Sequence, residues 1–218
     1  MPRYSGSSWR SFRPDAAVAG ATTARAGVSA DCRILGLDPG SLRTGYGLID
    51  CSAAGERHLA NGCINAGSGD FLLRLRRIFD AVVSLIDEHR PGEVAIERVF
   101  VHRNPDSALK LGQARGAAVC AAVGLGASAH EYAPRAIKLA VTGYGAADKA
   151  QVAQMVTMLL HLERRPAADA ADALAVALCH AQTRRLAALT SVAALPRAVV
   201  RRGRRTGVRP GVRPGVRP

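Results

Sequence analysis

The segment RRPAADAADALAVALCH, residues 164–180, has the alanine-rich composition of a good helix former, yet it carries Asp169 and Asp172 three residues apart. On a helix that spacing puts both carboxylates on one face, where like charges repel unless something cationic lies between them. One reading is local: acids near a helix N-terminus offset the positive end of the macrodipole, and Pro166 suits a first-turn position. The other is chemical: the pair holds a cation. The segment alone leaves both open. Two further acids stand in comparable places. Asp38 ends the apolar run RILGLD just before Pro39-Gly40, and Glu97 sits inside EVAIERVF. An Asp before Pro-Gly is a natural turn former, and a Glu on an edge strand is a surface charge. Against that, an unpaired carboxylate among apolar strand residues is costly. Four such carboxylates offer hard oxygen ligands, which suit Mg²⁺ or Mn²⁺ and not zinc. Two ions about 3.5–4 Å apart stabilise both the attacking and the leaving oxygen of a phosphoryl displacement.

Chemistry of that kind requires elements that bring the acids together. RILGLD, TGYGLIDCS and HLANGCINA read as three short strands close enough to pair as antiparallel hairpins. FLLRLRRIFDAVVSLIDEH places Leu72, Leu75, Ile78, Phe79, Val82, Val83 and Ile86 at helical spacing. EVAIERVF follows as a strand, NPDSALKLGQARGAAVCAAV as a helix with Pro105 in its first turn, and SAHEYA as a last short strand. PRAIKLAVTG, ADKAQVAQMVTMLLHL and AADAADALAVALCHAQTRRLAAL complete the chain as helices. The pattern predicts an α/β fold with a five-stranded mixed sheet and helices on both faces. A right-handed crossover through the first helix makes the first and fourth strands parallel neighbours, so Asp38 and Glu97 are expected side by side at their carboxyl ends, where ligands of open α/β sheets collect.

The chain has 218 residues and a net charge of +13, unevenly placed. Residues 197–218 hold eight arginines and no acid, whereas residues 33–195 hold eighteen basic and fifteen acidic side chains. The excess charge thus belongs largely to a Gly/Pro-rich tail with a repeated GVRP unit, suited to holding polyanions without sequence preference. We expect a disordered extension over residues 1–32, a folded domain over 33–190 and a flexible basic tail over 191–218. Five cysteines with no C-x-x-C pair argue against a disulfide framework or a structural zinc site, and a reducing, cytoplasmic setting is the default. No uninterrupted apolar stretch has the length of a membrane span.

Four blocks, ILGLDPGSLRTGYGLID, AIERVFVHRNPDSALKLGQARG, GYGAADKAQV and ADAADALAVAL, resemble the RuvC family of crossover junction endodeoxyribonucleases, in the family's order and over residues 33 to about 185. The first block alone is shared in outline with actin-like ATPases and other RNase H-like proteins; the four together are far more specific. The resemblance implies an RNase H-like fold and a homodimer that resolves Holliday junctions in DNA recombination and repair. It implies hydrolysis of two symmetric strands with 5′-phosphate products, aided by two Mg²⁺ per subunit, for which Mn²⁺ substitutes. It matches Asp38, Glu97, Asp169 and Asp172 to the family's metal-binding acids and Phe100 to a wedge that stacks on a junction base. Lys138 and Lys149 match DNA-binding positions, and RuvA with RuvB are the implied branch-migration partners.

Other residues are weighed from chemistry. Phe100 is equally a core residue by type. Arg98 stands where the family pattern has Gln, which alters nearby phosphate contacts while sparing the acids. Arg115 reads as structural or interfacial, Ser41 and Thr44 as turn and strand residues, and His180, without a paired ligand spacing, as an ordinary helix residue. Two rivals remain: an RNase H-like nuclease acting on RNA or RNA–DNA hybrids, against which NPDSALKLGQARG argues, and a silent junction-binding protein, against which the acid quartet argues.

Overall fold

The computed structural model of the protein describes residues 31–98 and 104–193. Three consecutive strands, β1 (Cys32–Asp38), β2 (Arg43–Ser52) and β3 (Gly55–Asn65), form an antiparallel meander. Helix α1 (Phe71–His89) then crosses over to β4 (Glu93–Glu97), which lies parallel to β1. Helix α2 (Pro105–Gly124) leads to β5 (Ser128–Tyr132), parallel to β4, and α3 (Pro134–Thr142), α4 (Lys149–Leu159) and α5 (Ala168–Ala193) follow. The sheet order is β3-β2-β1-β4-β5, the mixed five-stranded arrangement expected. Glu97 therefore does not lie on an edge strand, because β4 is covered by β1 on one side and β5 on the other.

Local sequence explains the element boundaries. Asp70 caps α1 by accepting from the Leu73 amide, and Ile78, Val82 and Ile86, four apart, are its buried stripe. Asn104 caps α2 ahead of Pro105, and Asp148 with Gln151 forms a reciprocal capping box on α4. Pro166, expected in the first turn of the last helix, instead precedes it: α5 begins at Ala168, and its first backbone bond runs from the Ala171 amide to the Ala167 carbonyl.

Both faces of the sheet are covered. Leu35, Leu37, Leu48, Val94 and Ile96 pack with α1 and α2, while Ile34, Ile49 and Ala95 pack with α3, α4 and α5. Alternation along β1 and β4 therefore sends Asp38, Glu93 and Glu97 toward the α5 side. There α5 lies unusually deep. A Cβ on Gly36 would land on the Ala173 carbonyl oxygen, and one on Gly45 on the Asp169 carbonyl oxygen. The facing helix residues Ala173 and Ala177 are small and fully buried. Glycine on the sheet and alanine on the helix let two backbones approach as no larger pair would.

Strand β1 starts at Cys32 and α5 runs to Ala193. Apart from these inner residues, the expected extension over 1–32 and tail over 191–218 lie outside the described residues. Among the described residues, no helix is long and apolar enough to cross a membrane.

Candidate active site

Asp38 and Glu97 are the last residues of β1 and β4. The parallel register that pairs Leu37 with Ile96 brings them abreast. The turn after Asp38 is held by Thr44, fully buried, whose hydroxyl donates to the Gly40 carbonyl at 3.2 Å and accepts from the Gly40 amide at 3.4 Å. Thr44 thus does more than its reading as a plain strand residue anticipates.

From the other side, the first turns of α5 bring Asp172 to the same place. Asp38, Glu97 and Asp172 line one open cleft of about 440 Å³, together with Arg98, Lys138 and Lys149. Asp169, one turn earlier on α5, lies beside the cleft and not on its wall. Its carboxylate receives Arg43 Nε at 2.9 Å and the Cys63 thiol at 3.4 Å, from β2 and β3. Neither Arg43 nor Cys63 stands out in the sequence, since no spacing links positions more than a hundred residues from Asp169.

The electrostatics follow from crowding. Burial, then the nearby charges of Asp38 and Asp172, push the Glu97 carboxyl up to about 7, although Lys149 and Lys138 oppose the rise. Burial and Asp172 likewise push Asp38 up to about 6. Lys149 Nζ lies 2.7 Å from Asp172, whose side chain is 18% exposed, and this bond raises the ammonium above its ordinary value. Carboxylates that resist ionisation beside one another, all with oxygen donors, fit a hard divalent cation, whose charge would offset the burial and the repulsion that raise Asp38 and Glu97.

Both sequence-predicted lysines reach the cleft: Lys138 from α3, and Lys149 as the first residue of α4. Arg98 also lines it, with Nε 3.6 Å from Glu131, which is further paired with Arg115. Arg115 also donates to the Glu97 carbonyl at 3.4 Å and so braces the end of β4, a structural role. Phe100 lies outside the described residues. His180, expected to be an ordinary helix residue, is instead buried among polar partners, with Nε2 2.5 Å from Glu93 and Nδ1 2.6 Å from the Tyr132 hydroxyl.

A sheet of this order is that of the RNase H-like fold, and acids at the ends of its parallel central strands suit metal-assisted phosphoryl chemistry. A family model for the crossover junction endodeoxyribonuclease RuvC matches residues 34–180. Curated relatives of that name include one from Alkalilimnicola ehrlichii, 56% identical over 148 residues, which are 68% of this chain and 90% of the relative. One from Marinobacter nauticus is 57% identical over 148 residues, 68% of this chain and 85% of the relative. Among solved structures, that of Thermus thermophilus RuvC in complex with Holliday junction substrate is 34% identical, with a TM-score of 0.68 over 72% of this chain and 97% of the other. The chain belongs to the RuvC family of crossover junction endodeoxyribonucleases, and membership implies divalent-metal chemistry.

Proposed function

We propose that this protein is a structure-selective endonuclease that resolves Holliday junctions by metal-dependent hydrolysis of two symmetric strands. One observation carries the reading: Asp38, Glu97 and Asp172, from three elements distant in sequence, converge with Lys138 and Lys149 on a single open cleft. Asp38, Glu97, Asp169 and Asp172 would hold two Mg²⁺ ions, or Mn²⁺ in their place. Bound there, such ions would supply activation of a water and charge stabilisation at the departing 3′ oxygen, giving a 5′-phosphate product.

The chain's own residues do the rest. Asp38 and Glu97, pre-aligned by the β1–β4 register, supply charge at fixed positions without a conformational search. Asp169, now paired with Arg43 and the Cys63 thiol, would be available to a cation only in place of those partners, and Arg43, 60% exposed, stands where it could meet phosphate. Lys149, now paired with Asp172, stands on the rim of the cleft with Lys138, where an ammonium would hold a phosphate as a compact point charge. Phe100, just beyond Glu97 in sequence, stacks on an unpaired junction base.

The nuclease domain spans residues 33–190, and the tail over 191–218 adds electrostatic affinity. Two copies act as a homodimer, matching the two-fold pseudo-symmetry of a four-way junction, with RuvA and RuvB as branch-migration partners in the cytoplasm. The deciding experiment incubates the purified protein with labelled four-way junction and linear duplex, with and without Mg²⁺. Symmetric incision of the junction alone, only with Mg²⁺, is the expected result. Equal cutting of linear duplex would remove structure selectivity, and binding without incision would leave a silent junction binder.

A further inference from the structure

Four residues before Glu97, at the start of β4, lies a second polar cluster that the proposed chemistry does not use. Glu93 meets two side chains of α5 there. His180 Nε2 is 2.5 Å from one carboxylate oxygen, and Arg184 Nε is 2.8 Å from the same oxygen and 3.0 Å from the other. On the far side of the ring, Nδ1 faces the Tyr132 hydroxyl of β5 at 2.6 Å, and the His130 ring stacks against it with centroids 4.3 Å apart. With Nε2–H donating to Glu93, Nδ1 accepts a hydrogen bond from the Tyr132 hydroxyl, and both nitrogens of a ring only 2% exposed are satisfied. Burial pulls His180 down to about 4, which keeps the ring neutral. Glu93, His130 and His180 place ligand atoms within 4.8 Å of one another, a donor set that would suit zinc. But the Arg184 guanidinium already supplies positive charge to both Glu93 oxygens, and both His180 nitrogens are engaged. The cluster is better understood as a tie between two elements.

What the tie holds follows from two lengths. Glu93 and Glu97 share one face of β4, about 13 Å apart along the strand. Asp172 and His180 are eight residues apart on α5, about 12 Å along the helix. Helix and strand run in opposite directions, joined by Glu93–His180 at one end, and the near-equal spans bring Asp172 and Glu97 into the same cleft at the other. Apolar packing shares in this register, with Leu174 seated over Gly47 and Ala173 and Ala177 over Gly36, but at the Glu93 end the contact between α5 and β4 is polar. Hydrogen bonds and a two-oxygen ion pair are directional, and sliding by one turn, about 5.4 Å, would break them all.

We propose that Glu93, His180 and Arg184 are positioning residues that set the axial register of α5 on β4, and thereby the placement of Asp172 opposite Glu97. This rests on the reading of those acids as the metal site. The test measures Mn²⁺ affinity of the full chain without DNA, by electron paramagnetic resonance of the free ion, with thermal melting on the same samples. Glu93→Ala should weaken Mn²⁺ binding by about 2- to 30-fold in protein that is still folded. Glu93→Gln, which keeps an acceptor for His180 Nε2, should recover most of the loss. His180→Phe, which keeps ring volume and removes both nitrogens, makes the same measurement should Glu93→Ala fail to fold. A lowered melting temperature with wild-type Mn²⁺ affinity in Glu93→Ala or His180→Phe would mean a merely structural role and overturns the proposal. Asp172→Asn is the control for the underlying reading: wild-type Mn²⁺ affinity in that variant rejects the metal-site assignment itself.

Discussion

Asp172 and Lys149 form the tightest polar contact within the cleft, at 2.7 Å, and they frame what single substitutions should do. Asp172→Asn keeps the shape of the carboxylate and removes its charge, so single-turnover cleavage should fall below detection while junction binding, read by gel shift, survives. Glu97 behaves differently because its carboxyl is raised to about 7. A raised carboxylate pKa means that the folded state binds the proton more tightly than the unfolded chain, so stability declines as pH rises from the ordinary carboxylate range through about 7. In chelator at pH 8, Glu97→Gln should therefore stabilise the protein, by about 1–2 kcal/mol after allowance for solvent screening of a half-buried group. A fall in melting temperature there would contradict the crowding argument. Metal affinity depends on the same protons: they compete for Glu97 and Asp38, so Mn²⁺ affinity should drop by up to about tenfold per pH unit between about 7 and 6, and more steeply below about 6, where Asp38 is protonated as well. Phe100→Ala should leave most electrostatic affinity in place and slow cleavage by about 5- to 150-fold, the loss of one base–aromatic stack. A large loss of melting temperature with normal cleavage per folded molecule would return Phe100 to the core.

Helix α5 carries two acids of the quartet and the two cationic or polar groups of the tie, and its depth on the sheet is set by glycines. Gly45 faces the Asp169 carbonyl so closely that any Cβ must displace the helix backbone. Gly45→Ala should therefore cost more than an ordinary overpacking substitution, whose typical range is about 1–3 kcal/mol. Thermal melting measures that cost, and Mn²⁺ titration should show weaker binding as well, because lifting the first turn of α5 moves Asp169 and Asp172 together. Unchanged melting would mean that the helix start is free to rise. The alanine content of this helix, which in the sequence reads as helix propensity, serves this close approach: Ala170, Ala171, Ala173, Ala175 and Ala177 are all buried.

The full chain carries +13, but its folded part is nearly balanced and its acids converge on the cleft that must accept a polyanion. Local lysines, with the cations proposed for the quartet, would make the cleft hospitable, and long-range attraction would then fall to the arginines over 197–218. Deleting residues 197–218 should lower affinity for junction and linear duplex alike and flatten the dependence of binding on salt, by about 0.9 in the log–log slope for each phosphate that the arginines no longer neutralise. An unchanged slope would show that those arginines do not engage DNA. The ratio of junction to duplex affinity should stay constant, since a Gly/Pro repeat presents no fixed surface for shape recognition.

Much of this molecule is written in short-range patterns. The period of α1, the prolines opening α2 and α3, the hairpin spacing of β1 to β3 and the strand-end positions of Asp38 and Glu97 depend on neighbouring residues, and all are legible in the chain. Asp169 and Asp172 are also visible there as a pair, though their separate fates are not. That Asp172 faces the cleft while Asp169 turns to Arg43 and Cys63 depends on strands folded from more than a hundred residues earlier. The same holds for Glu93 and His180, 87 residues apart, which look like an ordinary strand acid and an ordinary helix histidine until the register of α5 on β4 sets them 2.5 Å from each other. Periodicity records which face a residue occupies; the depth and axial register of one element on another arise only when side chains distant in sequence meet in three dimensions.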